Sequence, residues 1–227
     1  MTGSMRSSPV RRSSCLHEPS DPAGRAGGTK LSTTSSQPDD NVRLSFILAT
    51  CGRTSIDRML RSMEAQYALR PTDELLIVGS TETERRVQCN MRFITSPMGN
   101  DWGHTERNIG MGLATGTHLV FIDDDDTMTV GSITVIRNAV ARSPDNPIMF
   151  RMVDPNGLVI WQNKQVRMGN HGTPQFVVPN KPNRLGTWGH RYEGDFDFVK
   201  STLALYPNGE GDLVWNPRII YACRNQG

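Results

Sequence analysis

Apolar residues along this chain fall into short continuous runs separated by amphipathic stretches, the rhythm expected when buried strands alternate with helices. Leu44-Ser45-Phe46-Ile47-Leu48-Ala49-Thr50 and Glu74-Leu75-Leu76-Ile77-Val78 are runs of strand length. Between them Ile56, Met59, Leu60, Met63 and Tyr67 recur at helical spacing, with Thr54 and Asp57 as a capping pair and Pro71 as the stop. A strand, a helix and a strand in succession predict parallel pairing, since such a connection must cross over the sheet. A third strand is expected at 91–94, then a helix over about 105–114 closed by Gly116 as C-cap, then a fourth strand from Thr117 to Ile122. Thr129 is expected to cap a further helix with Val130, Ile133, Ile136 and Val140 facing inward. The runs 148–153 and 158–161 flank Asp154-Pro155-Asn156-Gly157, and Asn-Gly between apolar runs is a hairpin signal, so pairing turns antiparallel in the last third. A strand at 176–178, a helix carrying Phe198, Val199, Thr202, Leu203 and Leu205, and a strand around 218–221 complete the pattern. The expected fold class is α/β: a three-layer sandwich with a mostly parallel central sheet and a small antiparallel C-terminal part.

Composition adds boundaries to this picture. Residues 1–41 are rich in Ser, Pro, Gly and Arg and poor in large apolar side chains, so they are expected to be a disordered tail. The folded domain is expected over 42–227. A net charge of +2 over 227 residues gives no strong attraction to nucleic acid or a membrane surface. Cys15, Cys51, Cys89 and Cys223 have neither metal-ligand spacing nor the pairing of a disulfide framework, and read as reduced thiols. Arg6, Arg11 and Arg12 are not followed by an apolar region, and no apolar stretch approaches the roughly 20 residues of a membrane span, so a cytoplasmic protein is expected.

The chemistry is concentrated in two stretches. The fourth strand ends in Asp123-Asp124-Asp125-Asp126. Neighbouring carboxylates about 4 Å apart repel by roughly 4 kcal/mol at an effective dielectric of 20, so the cluster requires a counter-charge. Hard oxygen ligands suit Mg²⁺ or Mn²⁺. Parallel sheets bind ligands beyond the carboxyl ends of their strands, where these aspartates lie. The second dense stretch is Gly186-Thr187-Trp188-Gly189-His190-Arg191-Tyr192-Glu193-Gly194-Asp195-Phe196-Asp197, at the start of the late helix.

The order of these features resembles a family two glycosyltransferase of the GT-A fold. The likeness rests on the opening strand and turn from Phe46 to Arg53, on Arg107-Asn108-Ile109-Gly110, on Asp123-Asp124-Asp125 as a D-x-D element, and on Glu193-Gly194-Asp195 before the late helix. It implies a nucleotide-binding half at 42–126 and an acceptor-binding half at 127–227. It implies a nucleotide-sugar donor, an acceptor hydroxyl on a glycan, lipid, protein or nucleic acid, and hexosyl transfer with inversion. Asp125 would bind the Mn²⁺ or Mg²⁺ ion and Asp123 the donor ribose or a metal-bound water. Thr50, Arg53, Arg107 and Asp124 fall on the donor side. Asp195 is the candidate general base, with Glu193 and Asp197 as neighbours able to exchange roles with it, and with a helix N-cap as its alternative role. Trp188 and Gly189 offer a flat face to a sugar, and His171 or His190 could complete the metal shell; His104 reads as an ordinary loop histidine. One departure is visible: the family's second strand often ends in Asp-Asp-Gly-Ser, whereas here Val78-Gly79-Ser80-Thr81 carries no carboxylate, which leaves the donor nucleotide open.

Three other functions compete. Asp123-x-Asp125-x-Thr127 also matches the D-x-D-x-T signature of haloacid-dehalogenase-like phosphatases, in which the first Asp is the nucleophile. That motif strand usually opens its domain, whereas a complete β-α-β-β-α series precedes it here. A sugar-nucleotide nucleotidyltransferase would carry a glycine-rich loop where Cys51-Gly52-Arg53 stands. A non-catalytic nucleotide or carbohydrate binder would not need acidic groups in both dense stretches.

Overall fold

The computed structural model describes residues 41–80, 83–97 and 100–223, so the N-terminal tail lies outside the described residues. In chain order the elements are β1 (Leu44–Thr50), α1 (Ile56–Glu64), β2 (Glu74–Gly79), β3 (Asn90–Thr95), α2 (His104–Leu113), β4 (His118–Asp123), β5 (Thr127–Met128), α3 (Ser132–Arg142), β6 (Ile148–Val153), β7 (Val159–Ile160), β8 (Phe176–Pro179), α4 (Gly194–Leu203) and β9 (Val214–Ala222). The strands form one sheet in the order β3-β2-β1-β4-β8-β6-β9-β5, with β7 paired to β6. Pairing is parallel from β3 through β4. β8 then joins antiparallel to both β4 and β6, while β6 and β9 run parallel.

Alternation along the central strands decides the layers. Leu44, Phe46 and Leu48 of β1 pack with Ile56, Met59, Leu60 and Met63 of α1 and with Ile133, Ile136 and Val140 of α3. Ile47, one residue out of phase, faces the other way with Leu76, Leu119 and Phe121 toward Phe198, Val199 and Leu203 of α4, with Ile109 of α2 alongside. The result is the expected three-layer sandwich. Both faces of β1 and β4 are covered, which explains why their sequences are apolar runs rather than alternating ones.

The chain runs from β1 outward to β2 and β3, then returns through α2 to place β4 on the opposite side of β1. This reversal puts a crevice at the carboxyl ends of β1 and β4, the usual ligand position in an open α/β sheet. Ala49 lies opposite Asp123 in the β1–β4 register, so the acidic strand end and the first turn of the chain emerge side by side.

At the other end of the strands the sheet is locked by buried charge. Asp73 accepts from the backbone N–H of Leu44 at 2.9 Å and that of Arg70 at 2.8 Å, and pairs with Arg137 of α3 at 2.6 Å. Both side chains are almost fully buried. Arg137 also donates to the Val42 carbonyl at 2.9 Å, so one pair joins the start of β1, the approach to β2 and α3. Nearby, Glu74 accepts from Ser45 and from the backbone N–H groups of Thr115 and Gly116. Burial works against the charged form of Glu74, but these donors prevail and hold its pKa below the usual range.

Several local expectations are corrected. Thr54 and Asp57 do not form a cap; Ser55 precedes α1 without a side-chain cap, and Asp57 instead accepts from the Thr83 hydroxyl at 3.0 Å. α1 ends at Glu64, which leaves Tyr67 91% exposed. α3 begins at Ser132 after Gly131, so Val130 precedes it and is 96% exposed rather than inward. Gly116 does not cap α2; a Cβ there would sit 2.5 Å from the Ser45 Oγ, and its role is close approach to β1. The hairpin at Asp154 forms as expected, its carboxylate accepting from the N–H groups of Asn156 and Leu158. The very short β5 was not expected. Among the described residues no helix is long and apolar enough to cross a membrane, and Cys51, Cys89 and Cys223 are free thiols.

Removing one partner of a buried pair strands the other charge. Asp73→Ala is therefore expected to cost about 3–5 kcal/mol in urea unfolding, whereas Asp145→Ala, which breaks the exposed pair with Lys181, should cost less than about 1 kcal/mol. His118, buried at the start of β4 with Nε2 3.0 Å from the Pro144 carbonyl, gives a pH prediction. Burial lowers its pKa from 6.5 to about 4. Between those values the unfolded chain binds a proton that the folded chain refuses, so stability is full above the upper value and falls as pH drops through the window. Unfolding titrations from pH 7 to pH 4 should show His118→Gln with a shallower loss than the parent chain.

Candidate functional site

A cavity of about 910 Å³ opens at the carboxyl ends of β1 and β4. Its lining includes Thr50, Arg53, Arg107, Asp123, Asp124, Asp125, His171, Glu193 and Asp195, so the residues assigned by sequence to donor, metal and catalytic roles meet there, apart from the alternatives Asp197 and His190. Trp188 and Gly189 do not line it.

β4 ends at Asp123, and the chain turns immediately. The alternation of a strand is therefore lost, and Asp124 and Asp125 share one partner: Arg53 reaches Asp124 at 3.2 Å and Asp125 at 2.5 Å. Asp124 also accepts from the Thr50 hydroxyl at 2.7 Å and is buried. Arg58 donates to the Asp125 carbonyl, and Arg107 pairs with Asp123. The four-carboxylate run is thus neutralised in part by Arg53, from the turn before α1, and Arg107 of α2, while Arg58 of α1 holds the backbone of the turn. Burial opposes the charge of Arg53, but Asp124 and Asp125 outweigh it and raise its pKa. Burial, reinforced by Asp123, raises the Asp125 pKa against the pull of Arg53.

Below this turn lies a residue that sequence did not single out. The buried hydroxyl of Tyr221, from β9, accepts from the Asp123 N–H at 2.7 Å and lies 3.3 Å from the Asp123 carbonyl oxygen. The first carboxylate is therefore fixed through its backbone. The only sequence signal was an aromatic with a polar tip at the end of an apolar run.

The Arg-Asn-x-Gly segment resolves into three separate jobs on α2. Arg107 joins Asp123 to the Trp102 carbonyl, to which it donates at 2.8 Å. Asn108 grips the backbone of Trp188 from both sides, donating to its carbonyl and accepting from its N–H at 3.1 Å each. Gly110 lets the helix lie against β1, since a Cβ there would sit 2.5 Å from the Ile47 side chain. Trp188 itself is 1% exposed and stacks on Phe198 at 4.4 Å, with Arg107 above its ring. The expected sugar face is therefore a core residue, and it supports the cavity from beneath.

Asp195, which lines the same cavity, lies in the first turn of α4, not at its N-cap. Its carboxylate accepts from the Phe196 N–H at 2.7 Å, and burial raises its pKa against the opposing pull of that bond and of Arg107. Glu193 lines the cavity too, while Asp197 is drawn away into a two-point pair with Arg191. His190 is likewise drawn away to Asp101, at 2.8 Å. His171 is buried against Phe196, and among the described residues neither ring nitrogen has a hydrogen-bond partner. Burial lowers its pKa to about 4, so it presents a neutral imidazole. Among the described residues no three His, Cys, Asp or Glu side chains form a ready-made metal cluster.

His104 is more than a loop histidine. It opens α2, is buried, and lies 3.0 Å from the Arg191 carbonyl through Nε2 and 3.4 Å from Arg107 through Nδ1. A carbonyl can only accept, so Nε2 carries the proton; burial, with Arg107 adding to it, lowers the pKa. Gly194 makes this contact possible, because a Cβ there would meet His104 Nε2 at 2.5 Å.

No protein-family model matches the sequence, and no curated protein shows significant similarity to it. Solved structures do share its shape. TarS of S. aureus superposes with a TM-score of 0.62 at 15% identity, over 81% of this chain and 37% of that one. Residues 1–349 of TarS with UDP-GlcNAc give 0.61 at 15% identity, over 82% and 59%. The mannosyltransferase PcManGT from Pyrobaculum calidifontis with GDP-Man and Mn²⁺ gives 0.56 at 18% identity, over 82% and 57%. The chain thus spans between about a third and three fifths of the length of these proteins. Together with the three-layer architecture and the acidic end of β4, these likenesses establish that the chain has the GT-A-type fold of glycosyltransferases.

Proposed function

We propose that this chain is a glycosyltransferase that transfers a hexosyl unit from a nucleoside-diphosphate sugar to an acceptor hydroxyl, with inversion and with the help of Mn²⁺ or Mg²⁺. The observation that carries the proposal is the cavity's polarity: an acidic turn interlaced with arginines and, lining the same cavity, the Asp195 carboxylate, whose pKa burial raises. Support for the donor class comes from the fold neighbours, which were solved with UDP, UDP-GlcNAc, or GDP-Man and Mn²⁺.

The residues fit a divalent ion. Mg²⁺ is held by one or two carboxylates together with substrate phosphates, and carboxylates suit Mn²⁺ equally, so a complete protein cage is unnecessary. Asp125 and Asp123 would hold it, with the unpartnered nitrogens of His171 as a third donor. When bound, the ion neutralises charge on the departing diphosphate. Arg53 and Arg107 add fixed positive charge on the same side, where it stabilises the leaving group at no cost in reorganisation. Thr50 and Asp124 keep Arg53 in place. The 42–126 half thus serves the donor, and the 127–227 half presents the acceptor to the base.

Asp195 takes the proton from the acceptor hydroxyl. Its partial burial makes the carboxylate a stronger base than one in water, and its bond to the Phe196 N–H fixes its orientation. Glu193 supports it from the same wall. A single displacement by a hydroxyl deprotonated on this side inverts the anomeric centre.

Asp195→Asn should lower transfer by about 100-fold or more while leaving nucleotide affinity within about twofold, measured as nucleoside diphosphate release and by calorimetry with UDP and GDP in Mn²⁺. Asp125→Ala should abolish the metal-dependent part of nucleotide binding. Rapid hydrolysis of p-nitrophenyl phosphate that depends on Asp123 would instead establish a phosphatase, and nucleotide-sugar affinity without turnover on any acceptor would establish a binder.

A further inference from the structure

The displacement of Trp188 into the core leaves the cavity without its expected aromatic face, yet two other aromatics stand at the cavity. Trp102, in the loop before α2, is 59% exposed, and Tyr192, just before α4, is 73% exposed. Both line the cavity, and their rings meet edge to face with centroids 5.7 Å apart. Large aromatics left this open are not accounted for by core packing, and exposed ones beside a cleft mark a contact surface.

Trp102 is held in place rather than loosely exposed. Its backbone has φ of 58°, a left-handed conformation uncommon for a bulky side chain, and its carbonyl receives the Arg107 guanidinium at 2.8 Å. The arginine that pairs with Asp123 therefore also fixes the loop that presents the indole. Tyr192 directly precedes Glu193 and lies three residues before Asp195, so the phenol belongs to the wall of the candidate base.

A polar acceptor accompanies the rings. Asp101 lines the same cavity and is 5% exposed; its Oδ2 takes the Thr105 N–H and hydroxyl and His190, while Oδ1 has no hydrogen-bond partner among the described residues. A buried carboxylate oxygen without a donor is costly; Oδ1 is shielded from water in this structure, and a small shift of the cavity wall would let a ligand hydroxyl satisfy it. Aromatic faces beside a carboxylate oxygen match one chemistry in particular. A pyranose ring has a C–H face that packs on the electron-rich face of an aromatic and a rim of hydroxyls that donate to oxygen.

We propose that Trp102, Tyr192 and Asp101 form a carbohydrate subsite, so that the acceptor is a saccharide whose ring lies against these aromatics while its reacting hydroxyl reaches Asp195. The proposal rests on the glycosyltransferase reading of the same cavity and narrows the acceptor from any hydroxyl compound to a sugar.

Saturation-transfer NMR with the full chain tests it, using a panel of free mono-, di- and trisaccharides built from glucose, galactose, mannose and N-acetylglucosamine. Ring C–H protons of at least one saccharide should receive saturation. Affinity should fall about tenfold in Trp102→Ala and in Tyr192→Ala, and recover in Trp102→Phe and Tyr192→Phe. Calorimetry with UDP and GDP in Mn²⁺ is run on the same samples. Nucleotide binding without saturation of any saccharide overturns the subsite, as does full saccharide binding in the Trp102→Ala/Tyr192→Ala double variant. Loss of UDP or GDP affinity in Trp102→Ala, with saccharide affinity unchanged, would assign the indole to the nucleotide and also overturn it. Failure of the parent chain to bind either nucleotide removes the glycosyltransferase reading, while the saccharide result still decides whether the sugar site exists.

Discussion

Four carboxylates at the end of a strand buried on both faces impose the central constraint on this molecule. Such a run cannot be solvated like a surface loop, because the strand that carries it is sandwiched between helices, and it cannot be left bare, because its charges repel. The fold answers with cations from separate elements. Arg53 comes from the turn after β1, Arg58 from α1 and Arg107 from α2. The positions of the two helical arginines are set by apolar contacts elsewhere on the same helix. Arg107 reaches Asp123 because Gly110 lets α2 lie flat on Ile47, and Arg58 because Met59 and Leu60 seat α1 on the sheet. Packing thereby determines the electrostatics of the cavity.

The opposite ends of the strands use the same physics for a different purpose. Asp73 and Arg137 are sealed from solvent and saturated with backbone partners. Near the cavity the charges remain partly exposed and share partners. A closed ion pair serves stability; an open one can exchange a guanidinium for a ligand.

Much of this was legible from the chain. Continuous apolar runs identified β1, β2 and β4 because both faces of these strands are covered, and helical spacing identified α1 and α3. The residues proposed for donor, metal and base do converge on one cavity, because each stands at a strand end or helix start that the topology brings to the same edge. The errors share a cause. Trp188 read as a sugar platform because a Trp beside glycines in a polar stretch looks exposed, but Asn108, 80 residues away, draws its backbone inward. Trp102 passed unnoticed because nothing local marks a loop residue as held by an arginine. Val130 and Tyr67 fitted a helical period that the helices do not reach. Periodicity reports a buried face; long-range polar contacts decide which residues near its ends share it.

The clamp on Asp123 comes from Tyr221, 98 positions later in the chain. The segment from β1 through β4, with α1 and α2, contains neither this donor nor this acceptor. The acidic turn takes its backbone anchor from β9, which lies alongside β6. The acidic edge of the cavity is consequently held across 98 positions of sequence, by a strand from the half of the chain that does not carry it.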